Sequence, residues 1–494
     1  MRYTSTRGNS VDVSAAQAIA RGLSEDGGLF LSREIPRLAA GEIEALARLD
    51  YIGRAERILT KFLTPEDGWD PAEVRACTEK AYADSFRDAA IAPLTTLDNN
   101  TSVLELYHGP TCAFKDLALQ LLPHLLVASA KKIRDEREIV ILTATSGDTG
   151  KAALAGFRDV AGTKIVVFYP SEGVSPVQKA QMATQEGGNV RVVAVRGNFD
   201  DTQAGVKAIF GSADMKSRLD ANGQVLSSAN SINWGRLAPQ IVYYVSAYCD
   251  LCNRSKITLG EPVNFVVPTG NFGNILAGYY AKAMGLPVAR LICASNRNRI
   301  LTDFFAAGVY DRNRDFYATS SPSMDILVSS NLERLLYLAS GRNDHMVAGW
   351  MRALSETGKY AIPSELQKKL YEVFEAGCCD EAQTAAAIRA AWETYGFLSD
   401  THTAVALHVL DEYRTKTGDE TEAVVVATAS PFKFAASVLR AITGASPAGE
   451  FDALAVLEQA TGIACPPPLQ GLDKKTARFK ELCEAGDMAE YVMW

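Results

Sequence analysis

The chain has 494 residues, of which 47% are hydrophobic and 22% are charged, so it is long enough for two or three domains. Its formal net charge of -8 argues against a surface that coats nucleic acid, and no apolar run approaches the ~20 residues of a membrane span. The polar N-terminus lacks an apolar signal core, and the nine cysteines, an odd number, indicate reduced thiols. We therefore expect a cytoplasmic protein.

Residues 1–95 predict a mainly helical N-terminal domain, because apolar residues recur at helical spacing across residues 15–22 and 40–50. From residue 104 onward, β-branched and apolar runs alternate with helical patterns. The predicted strands are residues 104–107, 138–143, 164–168, 190–195, 263–267, 288–294 and 423–427. This alternation predicts an α/β fold with largely parallel sheets.

Two α/β subdomains are predicted after the helical region. The smaller one takes residues 96–225, and the larger one takes residues 226–494, including C-terminal helices. The proline run at residues 466–468 predicts the end of the compact body, followed by a charged C-terminal helix. Ligands of such folds bind where the carboxyl ends of strands turn into helices, so the loops at those ends are the candidate sites.

Lys115 lies in the first of these loops, in the segment HGPTCAFKD at residues 108–116. Its neighbours are mostly small or apolar, and a lysine in such a setting can hold a partly neutral amine, as a Schiff-base nucleophile requires. The alternative is a solvated helix lysine, which composition alone favours.

The segment TSGDTG at residues 145–150 follows the next strand and opens a helix. Its candidate ligand groups are Thr145, Ser146, Asp148 and Thr149. Hydroxyl groups and helix N-terminal amides suit a carboxylate or a phosphate, although a capping cluster explains the same residues.

The segment GNFGN also follows a buried-type strand and opens a helix. It consists of Gly270, Asn271, Phe272, Gly273 and Asn274. Glycines let backbone amides converge at a helix N-terminus, which holds a phosphate well; a tight turn without a ligand is the alternative.

Two further candidates are polar groups at the ends of other segments. Asn230, Ser231 and Arg236 belong to NSINWGR, where an arginine with amide and hydroxyl neighbours can clamp a phosphate monoester. Thr428 ends the last predicted strand and could contact a ring nitrogen. An ordinary surface arginine and a strand-end hydroxyl bonded to backbone remain the alternatives.

The order HGPTCAFKD, TATSGDTG, SANSIN, PTGNFGN and ATASPFKF resembles the threonine synthase family of fold-type-II pyridoxal-phosphate (PLP) enzymes, which are related to tryptophan synthase β. The segment HGPT-x-AFKD is the most specific, and the resemblance covers nearly the whole chain. It implies two open, mostly parallel sheets flanked by helices, plus the mainly helical N-terminal region.

The resemblance also implies residue roles around the cofactor. Lys115 would carry PLP as a Schiff base and act as the catalytic base. The amides of residues 270–274 would hold the cofactor phosphate, and Thr428 would meet the pyridine nitrogen. Asp148 would lie beside the pyridine ring, where members of the family often have Asn.

For the substrate, Thr145, Ser146 and Thr149 would bind the carboxylate, and Asn230, Ser231 and Arg236 would bind the phosphate. The implied activity is that of a carbon–oxygen lyase. It converts O-phospho-L-homoserine and water to L-threonine and phosphate by γ-elimination and β-replacement. We expect a monomer or homodimer that uses no metal and binds neither nucleic acid nor membrane. Lys151 could add charge near the substrate phosphate, but we favour a solvated helix residue.

Three other functions are considered. A PLP-dependent threonine/serine dehydratase, or a phospho-lyase that releases 2-oxobutyrate, would share the cofactor loops, but a simple dehydratase needs no clamp for a substrate phosphate. A non-catalytic PLP-fold binding protein would not need Lys115 together with both glycine loops. An NAD enzyme of the Rossmann type is disfavoured, because GxGxxG and a suitably spaced acid are missing.

Overall fold

A computed structural model describes residues 1–145 and 147–494 of the chain. The strands, in chain order, are β1 (Arg2–Ser5), β2 (Gly8–Ser14), β3 (Phe30–Ser32), β4 (Leu94–Thr96), β5 (Thr101–Glu105), β6 (Glu138–Ala144), β7 (Thr163–Pro170), β8 (Val190–Val195), β9 (Gln224–Ser227), β10 (Val263–Pro268), β11 (Val288–Ser295), β12 (Val309–Asp311), β13 (Lys359–Ala361), β14 (Phe374–Cys378), β15 (Ala423–Ala427) and β16 (Leu482–Cys483).

The α-helices, again in chain order, are α1 (Ala15–Arg21), α2 (Glu42–Ala47), α3 (Tyr51–Leu59), α4 (Pro71–Tyr82), α5 (Lys115–Leu119), α6 (Leu122–Lys132), α7 (Asp148–Phe157), α8 (Pro176–Ala183), α9 (Phe199–Gly211), α10 (Ala213–Ala221), α11 (Trp234–Asn253), α12 (Gly273–Met284), α13 (Ile300–Ala307), α14 (Leu332–Ala339), α15 (Asp344–Thr357), α16 (Ser364–Tyr371), α17 (Glu381–Tyr395), α18 (Thr401–Thr417), α19 (Ala435–Thr443) and α20 (Glu450–Thr461).

The larger sheet has the strand order β14-β11-β10-β15-β5-β4, and all its pairs are parallel except β4 with β5. Every residue of β10 and β15 is buried, as expected for parallel strands covered on both faces. Because β5, β10 and β15 are parallel neighbours in this sheet, their carboxyl ends meet at one edge. The loops that carry Lys115, residues 270–274 and Thr428 therefore lie together.

The smaller sheet has the order β16-β8-β7-β6-β9, and its strands are parallel throughout. The carboxyl end of β6 leads into the loop before α7, and that of β9 leads into the loop before α11. The predicted substrate residues belong to these two loops and to the first turns of α7 and α11. The predicted fold class, with two open and mostly parallel sheets flanked by helices, is confirmed.

The strands do not all lie in the sheet that their position in the chain suggests. β5 belongs to the larger sheet although it precedes the smaller sheet's strands, and β16 returns from the C-terminus to the smaller sheet. A run of apolar residues identifies a strand, but it does not tell which strand becomes its partner. The chain therefore crosses between the sheets more often than the division at residues 96–225 and 226–494 implies.

The N-terminal region contains an antiparallel sheet of β2, β1 and β3 in addition to α1–α4. Tyr3 of β1 is buried, donates to the carbonyl of Phe62 at 3.1 Å, and meets the ring of Trp234 edge to face at 5.5 Å. Arg54 of α3 binds Asp250 of α11 at 2.7 Å. The N-terminal region thus packs on α11, the helix whose first turn carries Arg236.

Short 3-10 turns and β16 take the place of the predicted charged helix after the prolines. Cys483, Met488 and Val492 are buried in the same apolar cluster as the strands of the smaller sheet. The tail is therefore held by apolar packing against the smaller sheet. In the sequence, the charged residues around these apolar positions hide that packing. Among the described residues, no helix combines the length and hydrophobicity of a membrane span.

Candidate active site

Lys115 is the first residue of α5, and its side chain is only 11% exposed. Its Nζ donates to the hydroxyl of Ser323 at 3.2 Å and lies 3.6 Å from Oδ2 of Asp148. Burial lowers the pKa of Lys115 to about 8, although the nearby carboxylate of Asp148 opposes this change. A minor fraction of neutral, nucleophilic amine is therefore present at pH 7, and this fraction rises toward pH 8.

The loop before Lys115 is held by its own residues. Asp116 is fully buried and accepts hydrogen bonds from the backbone amide of Thr111 at 2.8 Å and its hydroxyl at 2.6 Å. The amide of Phe114 donates to the carbonyl of Thr428 at 2.8 Å. This second bond joins the loop to the end of β15, so Lys115 and Thr428 are placed next to each other.

Asp148 makes a buried ion pair with Lys433, which the sequence analysis did not assign to the site. Nζ of Lys433 lies 2.5 Å from Oδ1 of Asp148, and it donates to the carbonyl of Thr111 at 2.9 Å. Burial alone would raise the pKa of Asp148, but the ammonium groups of Lys433 and Lys115 outweigh burial and hold it well below its usual range. Asp148 is therefore an anion between two cations, and Gln178 donates to its Oδ1 at 3.0 Å.

The loop at residues 270–274 has the geometry of an anion cradle. Phe272 adopts a left-handed conformation with φ of 63° and is buried against the rings of Phe305 and Phe374. This uncommon conformation for a residue other than glycine ends the turn directly before α12, a twelve-residue helix. The helix N-terminus then faces the loop with free amides.

Asn274 provides a direct test of whether a cofactor fits. Its Oδ1 accepts hydrogen bonds from the hydroxyls of Tyr243 at 2.6 Å and Tyr244 at 2.7 Å. These bonds fix the orientation of the amide, and its buried Nδ2 has no hydrogen-bond partner among the described residues. A buried donor without a partner is uncommon, and beside a helix N-terminus it matches the phosphate of PLP.

A polar segment at residues 319–331, which was not among the predicted site residues, joins the loops of the site. Besides contacting Lys115, Ser323 places its carbonyl so close to Gly270 that a Cβ there would lie 2.5 Å from it. Ser329 donates to the carbonyl of Gly270 at 2.7 Å. Asn331 donates to the carbonyls of Asn271 at 3.1 Å and Ser231 at 3.2 Å. The density of Ser and Thr in this segment was the available signal.

His402 positions Ser323 from the other side. Its Nε2 accepts the backbone amide of Ser323 at 3.2 Å, and its Nδ1 lies 2.8 Å from Oδ2 of Asp400. An imidazole whose Nδ1 proton is donated to Asp400 presents Nε2 as an acceptor, which is the tautomer that this contact needs. Asp400 and His402 are both buried, so the arrangement is shielded from water.

Arg236 is 5% exposed, in the first turn of α11. Its guanidinium donates to the carbonyl of Ala229 at 2.9 Å and, within the described part of the chain, forms no ion pair. Burial lowers the pKa of Arg236 to about 10, which still leaves the group charged at neutral pH. Asn230 and Ser231 are half-buried in the preceding loop.

The remaining predicted substrate residues differ in their use. The hydroxyl of Thr145 accepts the backbone amides of Gly147 at 3.0 Å and Gly150 at 2.9 Å, so it closes the turn before α7. This is the capping arrangement considered as the alternative. Thr149 is half-buried in the first turn of α7. Ser146 lies outside the described residues.

Lys151 is half-buried, and its ammonium binds Oε1 of Gln185 at 2.5 Å. It is not the solvated helix residue that we favoured.

The site as a whole brings together a lysine amine with a lowered pKa, a loop shaped to hold a phosphate and, among the described residues, a guanidinium without an ion-pair partner. This combination suits a cofactor that carries both a carbonyl group and a phosphate group, together with a second ligand that is anionic.

Comparison with known proteins first gives the class. The family model "Pyridoxal-phosphate dependent enzyme" matches residues 93–429, which contain Lys115, the loop at residues 270–274 and Thr428. The fold and the buried lysine agree with this class, and PLP is its cofactor.

Two more family models flank that match: "Threonine synthase N terminus" at residues 2–82 and "Threonine synthase, C-terminal" at residues 403–492. The chain is 40% identical to threonine synthase of Pseudomonas aeruginosa over 91% of this chain and 92% of that protein. The chain belongs to the threonine synthase family, as the sequence segments predicted.

Two other relatives support the assignment. The crystal structure of PLP-bound threonine synthase from Brucella melitensis is 38% identical, with a TM-score of 0.87 over 100% of this chain and 98% of that one. "Threonine synthase-like 1" of Macaca fascicularis is 43% identical over 86% of this chain. The match spans 58% of the length of that longer relative.

Proposed function

We propose that the protein converts O-phospho-L-homoserine and water to L-threonine and phosphate. The observation that carries this proposal is Arg236, a buried guanidinium with no ion-pair partner among the described residues, in the same site as the buried amine of Lys115. A buried charge without a partner is costly, so an anionic substrate group completes it. The relatives named threonine synthase support the same substrate.

The proposal assigns the cofactor to the loops that fit it. Lys115 would bind the aldehyde carbon, the amides of residues 270–274 with Nδ2 of Asn274 would bind the phosphate, and Thr428 would face the ring nitrogen. When bound, PLP supplies an electron sink that makes the protons on the α and β carbons of an amino-acid substrate removable. Asp148 would lie beside the ring as an anion fixed by Lys433.

Lys115 is then the base of the reaction. Burial lowers its pKa to about 8, so a minor fraction of the amine is neutral and able to accept a proton at pH 7, and the Ser323 hydroxyl at 3.2 Å holds Nζ in place. The α proton and the β proton of the substrate would pass to Nζ in turn; one would be given to the γ carbon and one would return to the α carbon. A single flexible amine can serve each of these transfers.

Arg236 would hold the phosphate that leaves from the γ carbon, with Asn230 and Ser231 as neutral donors. Holding the leaving group by a bidentate guanidinium both selects phosphorylated substrates and orients the bond that breaks. Water then adds its hydroxyl to the β carbon, and its remaining proton goes to the released phosphate. The substrate carboxylate is assigned to the loop where helix α7 begins: Ser146 and Thr149 would donate to it, and Thr145, whose hydroxyl accepts the amides of Gly147 and Gly150, would hold the loop in position.

The experiment that tests this proposal measures three products from O-phospho-L-homoserine: threonine, 2-oxobutyrate and free phosphate. We expect threonine and phosphate in equal amounts. Phosphate with 2-oxobutyrate and no threonine would identify a phospho-lyase instead. Absence of any product from a yellow, PLP-loaded protein would favour the non-catalytic alternative.

Further proposals concern organisation. We propose a mainly helical N-terminal domain at residues 1–95, a smaller α/β subdomain at residues 96–225 and a larger α/β subdomain with C-terminal helices at residues 226–494. We also propose that the protein works in the cytoplasm as a monomer or homodimer. Its nine cysteines are free thiols, which supports a reducing compartment.

A further inference from the structure

A second cleft lies beside the candidate active site. It has a volume of about 350 Å³ and opens between α7, α8 and the C-terminal segment around Leu472. Among the described residues, none of those predicted to bind cofactor or substrate lines it. The volume is at the lower end of the range for sites that bind small molecules, about 300–1,000 Å³.

Two glutamines bring unused hydrogen-bonding groups to this cleft. Gln120 and Gln181 line it and are 8% and 1% exposed. Nε2 of Gln120 and both polar atoms of Gln181 have no hydrogen-bond partner among the described residues. Buried polar groups in folded proteins nearly always have partners, so these three atoms require either a ligand or ordered water.

The charge of the cleft favours an anion. Lys151 lines it, binds only the neutral Gln185 among the described residues, and has its pKa lowered to about 8 by burial. Lys475 adds a second cation, whereas the charge of Arg158 is shared with Glu186 at 3.8 Å, and the exposed Asp84 is an opposing anion. Three basic and two acidic side chains therefore line the cleft, which leaves it net positive.

We propose that this cleft binds a small organic carboxylate, whose carboxylate group meets Lys151 and whose other polar groups meet Gln120 and Gln181. An organic ligand is favoured over a bare anion because Gln181 lacks partners for both its donor and its acceptor. The site is separate from the proposed reaction. It lies on helices that also reach the active site, because α7 begins with Asp148 and α8 carries Gln178, which donates to it.

The test is a calorimetric titration of the PLP-loaded enzyme with citrate, L-aspartate and inorganic phosphate at constant ionic strength. We expect at least one of the two carboxylates to bind with a Kd of about 1 mM or below. Lys151→Met and, separately, Gln120→Leu should each weaken that binding by about tenfold or more, since each removes a direct contact. Lys179→Met, an exposed lysine on the same α8, is the matched control and should bind as the wild type does.

Arg236→Met separates this cleft from the active site, because it removes the active-site anion partner and should leave carboxylate binding to the cleft unchanged. Loss of binding in Arg236→Met, or equal affinity in the wild type and both cleft variants, would overturn the proposal. In Arg236→Met, which lacks the active-site phosphate partner, phosphate binding as tight as that of both carboxylates would overturn the choice of ligand. A crystal structure soaked in the carboxylate that binds more tightly, with water alone in the cleft, would overturn it as well.

Discussion

Two groups of buried charge face the candidate site, and they are built in opposite ways. Asp148 lies between two ammonium groups, Lys433 at 2.5 Å and Lys115 at 3.6 Å. Arg236 is equally buried, but within the described residues it has a carbonyl as its hydrogen-bond partner and no carboxylate. A buried charge is tolerated when it is paired, so the first group is complete in the protein alone, whereas the second is completed by a ligand.

This difference separates the residues that maintain the structure of the site from those that recognise the substrate. Lys433 and Asp148 neutralise each other, and their expected contribution is to fold and orientation. Arg236 has no carboxylate to neutralise among the described residues, and we expect it to contribute to substrate binding. Lys115 belongs to both groups, since Asp148 raises its pKa and Arg236 lowers it. Variants of these four residues should therefore separate stability from catalysis.

The largest effect is expected from Lys115→Ala. Without its amine, the enzyme loses both the anchor of the cofactor and the base, so turnover should fall by about 10³-fold or more. The absorbance band of protein-bound PLP should vanish as well. Circular dichroism should match that of the wild type, and a retained band of normal intensity would contradict the assignment of Lys115.

Lys433→Met tests the paired group. Removing one partner leaves the carboxylate of Asp148 buried beside a single amine, and breaking such a pair costs about 3–5 kcal/mol of unfolding free energy. Chemical denaturation measures this loss. The matched control is Lys368→Met, because that ion pair with Glu365 is exposed and worth little.

The unfolding free energy lost in Lys433→Met should depend on pH, and the direction of this dependence follows from the pKa of Asp148. The pKa of Asp148 is depressed in the folded protein, so its stabilising contribution is present above the unfolded pKa of about 4 and is lost as the pH falls further. The difference between Lys433→Met and the wild type should shrink at low pH. In addition, Asp148→Asn should restore most of the stability of Lys433→Met, and a purely additive double variant would argue against a coupled pair.

Arg236→Met tests the unpaired group and should behave in the opposite way. The unfolding free energy of the ligand-free protein should stay the same or rise, because an apolar residue replaces an uncompensated buried charge. The KM for O-phospho-L-homoserine should rise by about 30-fold or more, since a charged hydrogen bond worth roughly 2–3 kcal/mol is lost. Any side activity on L-serine, which has no phosphate, is the internal control, and equal losses on both substrates would rule out the clamp.

Part of this site could be predicted from sequence. Lys115, the loop at residues 270–274 and Thr428 follow strands that their β-branched runs reveal, and parallel strands bring such loops to one edge. Lys433, Ser323 and Asn331 could not be found in this way. Each contacts a residue far away in the chain, and a contact of that kind leaves no periodicity in the sequence.

The same limit applies to the fold. The larger features follow from alternating strand and helix patterns. The positions of β5 in the larger sheet and β16 in the smaller sheet depend on strand pairing, which apolar runs do not encode. Thr145 shows the limit at a single residue. A hydroxyl at a helix start can bind a ligand or cap the helix, and only the bonds to Gly147 and Gly150 reveal which is formed here.

The smallest expected effect concerns the pKa of Lys115, which Asp148 raises and Arg236 lowers. Because its pKa is lowered to about 8, its amine is mostly protonated at pH 7 and mostly neutral at pH 9. The rate at which cofactor-free protein captures PLP should therefore rise with pH through a midpoint near 8. Stopped-flow absorbance measures it.

The two variants should move this midpoint in opposite directions. Asp148→Asn removes the carboxylate that favours the protonated amine, so the midpoint should fall by about one unit. Arg236→Gln removes a cation that disfavours protonation, so the midpoint should rise, and by less, because this charge contributes less than Asp148 to the pKa of Lys115. The ionisations of free PLP are common to all three proteins, so differences between midpoints report the pKa of Lys115. Shifts of the same sign would show that the paired and unpaired groups do not act on Lys115 as opposing charges.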